Sequence, residues 1–179
     1  MEPRESPVTA EWPRYSTTAF PTYRFLPGLT PHPRRDPQGH SFGRPEPRPL
    51  PFVHNAWSAS EEYLYAVDLY NFAYWWESHE VFEGLWHACG RETTAGNFFQ
   101  ALIQFAAANL KRTLGNEAAA QNLADNGLRR LRNSPAHYMG LDTGPFAEHI
   151  TEWMHDRSGA YVRIDLQDAE KRQAMKRAP

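Results

Sequence analysis

The chain has 179 residues, 41% of them hydrophobic and 22% charged, with a formal net charge of −2 at pH 7. That length suits one domain, since a core of ~100 to 120 residues buries enough apolar surface to fold alone. The basic and acidic residues are intermixed, which argues against partners such as nucleic acid or an anionic membrane, and the single Cys89 excludes an internal disulfide framework and fits a reducing, cytoplasmic compartment.

The first 57 residues read as a proline-rich arm. Twelve of the 15 prolines lie before Trp57, in runs such as PHPRRDP and RPEPRPLPF. Each removes an amide donor and biases its predecessor toward extended geometry, so no long helix is expected there. MEPRESPVTAEWPR lacks the basic start and apolar run of a secretory signal. Tyr23, Phe25, Leu26, Leu29 and Phe42 give the arm more apolar surface than a solvated linker carries. The expectation is an extended arm lying on the domain, with residues 1–14 loose; the rival reading is a proline-rich ligand for another protein.

From Ser58 the pattern turns helical. Ser58 or Ser60 can cap a helix whose first turn holds Glu61 and Glu62, and the absence of proline allows one long helix or two joined near Asn71. Tyr65, Leu69, Phe72, Trp76, Leu85 and Trp86 recur at the spacing of an apolar stripe. After the turn GRETTAGN, the segment FFQALIQFAAANLKRTL is apolar almost all round and is expected to be central. Gly115-Asn116 breaks it. The next helix places Ala120, Leu123, Gly127, Leu128 and Leu131 on one face, and its arginines sit toward the C-terminal end, where they favour the helix dipole. A short fourth helix is predicted from Pro145 to about His155, then an extended YVRIDL and a polar tail. The reading is all-α: a small antiparallel bundle over 58–157, preceded by the arm and followed by a C-terminal segment over 158–179. It contains no run of ~18 apolar residues able to span a bilayer.

Chemistry concentrates in WWESHEVFEGLW, residues 75–86. On a helix, Glu77, Glu80 and Glu83 are spaced by three, and His79, Glu83 and His87 form a row spaced by four. Three readings compete. As a metal site, His79 and Glu83 stand where the two helical ligands of a zinc hydrolase stand, with Glu80 at the general-base position. His79 and His87 are ~12 Å apart along the axis, so they cannot share one ion. Further ligands would come from His54, His137, His149 or the arm's His32 and His40. As a polar seam, the carboxylates and His79 are buried and satisfied by the next helix, which offers Gln100, Gln104, Asn109 and Lys111. The third reading is a solvated acidic face. Trp75, Trp76 and Trp86 beside the carboxylates favour desolvation and raised pKa values, a feature of functional sites. Cys89 reads as inert packing.

YNFAYWWESHEVFEGLW, followed by FFQALIQFAAANLKR and GNEAAAQNLADNGLRRL, resembles the family of uncharacterised bacterial and archaeal proteins called domain of unknown function family 309, over residues 62–133. The resemblance rests on Trp76, Glu77, His79, Glu80, Glu83 and Trp86, then on Gln100, Leu102, Ile103 and Gln104, with Ala101 where the family usually has glycine. It implies a compact helical fold, and some members are described as predicted metal-dependent hydrolases. Two functions follow as expectations. One is hydrolysis of a small substrate, with a divalent ion on His79 and Glu83, Glu80 activating water, and Gln104 or Lys111 orienting the substrate. The other is a non-catalytic helical module whose aromatic or arm surfaces bind a partner or a second copy, its His/Glu cluster forming a structural polar network; Glu77, Trp76, Trp86 and Gln100 are supporting residues.

Overall fold

Ser60 sets the start of the first helix. Its hydroxyl accepts a hydrogen bond from Tyr63 N at 3.2 Å, and Glu61 and Glu62 follow in the first turn. The computed structural model describes residues 12–45, 49–156 and 160–167. A short 3-10 helix, His54–Ala59, leads into α1 (Glu61–Asn71), α2 (Trp75–Cys89), α3 (Thr94–Thr113) and α4 (Glu117–Leu131). A two-stranded antiparallel hairpin, β1 (His137–Tyr138) and β2 (Leu141–Asp142), precedes α5 (Thr143–His155). The fold is an all-α bundle.

The links are local events. Between α1 and α2 the chain breaks without glycine or proline: Ala73 takes φ 63°, a left-handed conformation rare for a residue with a β-carbon. Thr93 caps α3 by accepting from Gly96 N, and Asn116 caps α4 by accepting from Ala119 N. Contacts fall symmetrically about each link, so consecutive helices run antiparallel. Ser78 donates to Ala66 O at 3.0 Å, Phe82 meets Phe99 with ring centroids 6.2 Å apart, and Gly127 lies against Phe105. A β-carbon on Gly127 would stand 2.5 Å from Phe105 Cε1, so α4 approaches α3 this closely only with glycine there. Leu131, Ala124 and Ala120 continue that buried face, while Leu123 and Leu128 are half-buried.

The core joins Tyr63, Val67 and Tyr70 of α1 to Phe82 and Leu85 of α2 and to Phe98, Phe99, Leu102 and Phe105 of α3. Polar atoms of α1 and α3 are paired within it: Tyr63 donates to Met139 O, and Asn109 Nδ2 to the Tyr70 hydroxyl. The expected stripe needs correction here. Tyr65 and Trp76 are not core residues: the Tyr65 hydroxyl donates to Ala19 O, and Trp76 packs edge-on against Phe25 and His32. The arm supplies them with a second buried surface, so both sides of this helical pair carry apolar residues.

Residues 12–45 have no helix or strand and lie along α1 and α2. Asp68, fully buried in α1, accepts from Arg14 Nε at 3.2 Å, Tyr15 N at 2.8 Å and Ser16 N at 2.9 Å. Trp12 packs against Phe72 and Tyr161. Residues 12–14, expected to be loose, are therefore docked, because Asp68 needs their donors; residues 1–11 lie outside the described residues, as do 46–48, 157–159 and the tail 168–179. α5 begins two residues before Pro145. YVRIDL is extended but joins no sheet. Asn71 replaces a strand partner, its side chain bonding Ile164 O at 2.7 Å and Ile164 N at 2.8 Å.

Candidate functional site

α2 turns different residues toward different surroundings. Trp75, Ser78, Phe82 and Leu85 are buried at helical spacing, and the ionisable residues occupy the rest of the helix. Glu77 is 5% exposed, and its partners come from the arm. Phe25 N donates to Glu77 Oε1 at 2.8 Å, and His40 Nε2 lies 3.1 Å from the same oxygen. His40 is itself fixed, with Nδ1 2.9 Å from Ser41 Oγ and its ring against Tyr23. Glu77 Oε2 is buried with no partner. Burial raises the Glu77 pKa, and the bonds from His40 and Phe25 N oppose that rise. This carboxylate is a latch for the arm.

His79, Glu80 and Glu83 are half-buried and each can offer one ligand atom, all within 4.8 Å of one another. His79 Nδ1 is buried without a hydrogen-bond partner, and its approach to Glu80 Oε1 is 3.6 Å, too long for a hydrogen bond. The three side chains are brought together by the helix itself, at positions i, i+1 and i+4. Two ligands of one divalent ion, bound at ~2.0 to 2.4 Å each, stand no more than ~4.8 Å apart, so the spacing of the three atoms is compatible with a shared ion. Glu80 thus stands as near to the cluster as its expected ligands do.

The other candidates scatter. Trp76 faces the arm. Trp86 is half-buried, its Nε1 enclosed and unpartnered, with the Arg91 guanidinium 4.7 Å from its ring. Gln100 and Gln104 line a groove with α4 residues instead of bonding the α2 carboxylates, and Gln104 Oε1 is buried without a partner. Lys111 is exposed in the last turn of α3 and does not line that groove. Of the histidines offered as extra ligands, His54 stacks on Tyr138, His137 Nδ1 lies 2.7 Å from Asp142 Oδ1, and His149 is exposed on α5. His32 Nδ1 accepts from Arg34 N at 3.2 Å in a turn. Among the described residues, the group able to converge on an ion is His79, Glu80 and Glu83.

Sequence reasoning did not single out Asp68 or the groove arginines Arg129 and Arg130. An acidic residue inside the apolar YAVDLY run of α1 signals a buried anchor, whereas the doubled arginine at 129–130 already suits the helix dipole and gives no separate sign of a groove.

Comparison with known families matches residues 63–123 to the model described as "Domain of unknown function (DUF309)". The match starts in the first turn of α1 and ends within α4, so it contains the His79, Glu80 and Glu83 cluster and leaves out the arm and α5. No curated protein matches the chain.

Proposed function

We propose, from the premise that residues 63–123 form a DUF309 domain, that the chain is a divalent-cation-binding helical protein whose cation site serves hydrolysis of a small substrate. The observation that carries this reading is the convergence of His79, Glu80 and Glu83, with His79 Nδ1 buried and unpartnered. His79 and Glu83 would hold the ion, and Glu80, beside His79, is placed to hold it too or to take a proton. A bound divalent ion supplies Lewis acidity, the property that promotes attack at a carbonyl or phosphoryl centre. His79 contributes a neutral nitrogen donor, and the glutamates balance the ion's charge and orient water. The free Cys89 fits a reducing, cytoplasmic setting.

A second reading, a non-catalytic module, draws on one observation: the groove lined by Gln100 and Gln104 is not lined by the α2 cluster. In that case the cluster is an internal polar network that holds no ion, and function lies in a partner or a second copy.

Metal analysis of the purified chain beside His79→Ala and Glu83→Ala separates the two. A stoichiometric metal content lost in both variants, with helical content retained, is expected. No metal uptake after incubation with zinc, manganese or iron would overturn the cation reading.

A further inference from the structure

Between α3 and α4 runs a groove of about 530 Å³, lined by Gln100, Gln104, Asn126, Arg129, Arg130 and Asn133. That volume lies within the ~300 to 1,000 Å³ of small-molecule sites. Its lining side chains are all planar amides or guanidiniums, none is a carboxylate, and so its wall carries the positive charge of two arginines. The protein's own contacts use few of their donors. Arg130 Nη1 donates to Asn97 Oδ1 at 3.1 Å and Arg129 Nη2 to Asn126 Oδ1, whereas each guanidinium has five N–H groups. The amides of Gln100 and Asn133 are the complement, since each offers both a donor and an acceptor beside the arginines. The adjoining groove shares Asn126 and Arg129 but includes Asp125, which locates the anion-favouring part on the Arg130 side.

We propose that this groove binds a small phosphate monoester bearing hydroxyl groups, with Arg129 and Arg130 on the phosphate and the ligand's hydroxyls on the amides of Gln100 and Asn133. A phosphate monoester carries about −1.5 to −2 charge at pH 7, matching two guanidiniums, and the guanidinium fork pairs phosphate oxygens bidentately. Phosphate alone leaves the wall amides without a partner in the groove, which is why the ligand carries hydroxyls. α4 ends here with its carbonyls, so side chains supply all the donors and added salt weakens binding. The site is separate from the α2 cluster and does not depend on a cation.

Calorimetric titration of the full chain with inorganic phosphate, ribose 5-phosphate and ribose tests the assignment. Ribose 5-phosphate binds more tightly than inorganic phosphate, and ribose does not bind. Arg129→Gln and Arg130→Gln, at exposed positions that leave the helices intact by circular dichroism, each weaken both phosphates roughly tenfold. Gln100→Met removes the advantage of the sugar phosphate and leaves inorganic phosphate unchanged. Absence of binding by either phosphate, or binding indifferent to both arginine substitutions, overturns the proposal. Gln100→Met weakening neither ligand overturns the hydroxyl assignment.

Discussion

Glu77 and Glu80 sit three residues apart on one helix, their directions differing by only ~60°, yet they inhabit opposite kinds of surface. Glu77 is sealed by the arm and spends one oxygen on Phe25 N and His40. Glu80 has a third of its side chain in solvent, with His79 Nδ1 3.6 Å away. The helix does not set this difference; the covering chain does. A carboxylate bonded to a backbone amide and an imidazole is committed to holding the fold, whereas one without a fixed partner keeps its lone pairs for a ligand.

The sharpest way to break the comparison is to remove the latches. Asp68→Ala should cost ~3 to 5 kcal/mol and Glu77→Ala ~2 to 4, because each strands buried donors of the arm, while Glu80→Ala stays within ~0.5. Urea unfolding checks all three, and an equal cost for Glu77 and Glu80 would erase the distinction. Next in size is metal linkage: zinc at a hundredfold excess over its Kd should stabilise the parent by about 2.7 kcal/mol and His79→Ala by nothing, read by thermal unfolding. A smaller effect appears at high pH. Desolvation pushes the Tyr15 phenol up to about 12, opposed by the bond from Leu166 N, and raises Tyr63, Tyr70 and Tyr161 further. The folded-state value exceeds the unfolded one near ~10, so this stability is whole below pH ~10 and drains as pH rises through about 12. Tyrosinate absorbance should therefore lag a free-tyrosine titration until the arm lets go. The smallest expected change is Glu83→Gln in metal-free protein, within ~0.5 kcal/mol of the parent, although it lowers metal uptake.

Local rules carried much of the fold into the sequence. Ser60, Thr93 and Asn116 cap where short polar side chains precede helical runs, and Gly115 opens the α3–α4 turn with φ 77°. The break at Ala73 had no such sign, because its left-handed backbone is imposed by packing on either side. The hairpin at His137–Asp142 was missed although Gly140 marks it, since two-residue strands are too short for alternation to register. At the site, the spacing of His79, Glu80 and Glu83 was readable because a helix fixes it locally. The partners of Glu77 were not, since Phe25 lies 52 residues away and the arm's aromatic residues reveal that it docks but not where.

The bond from Leu166 N to the Tyr15 hydroxyl joins residues 151 apart, across an α1 whose Asp68 and Asn71 grip both segments. Folding order follows from it. The α1–α2, α2–α3 and α3–α4 hairpins close over short links and form early, whereas this clasp waits for the final segment and for a long loop to close. Until then the buried acceptors of Asp68 and Asn71 and the ring of Phe72 form an open strip. Trp12, which docks on Phe72 and Tyr161, reports the moment that strip is covered, and the lifetime of the unclasped bundle sets its exposure to misassembly.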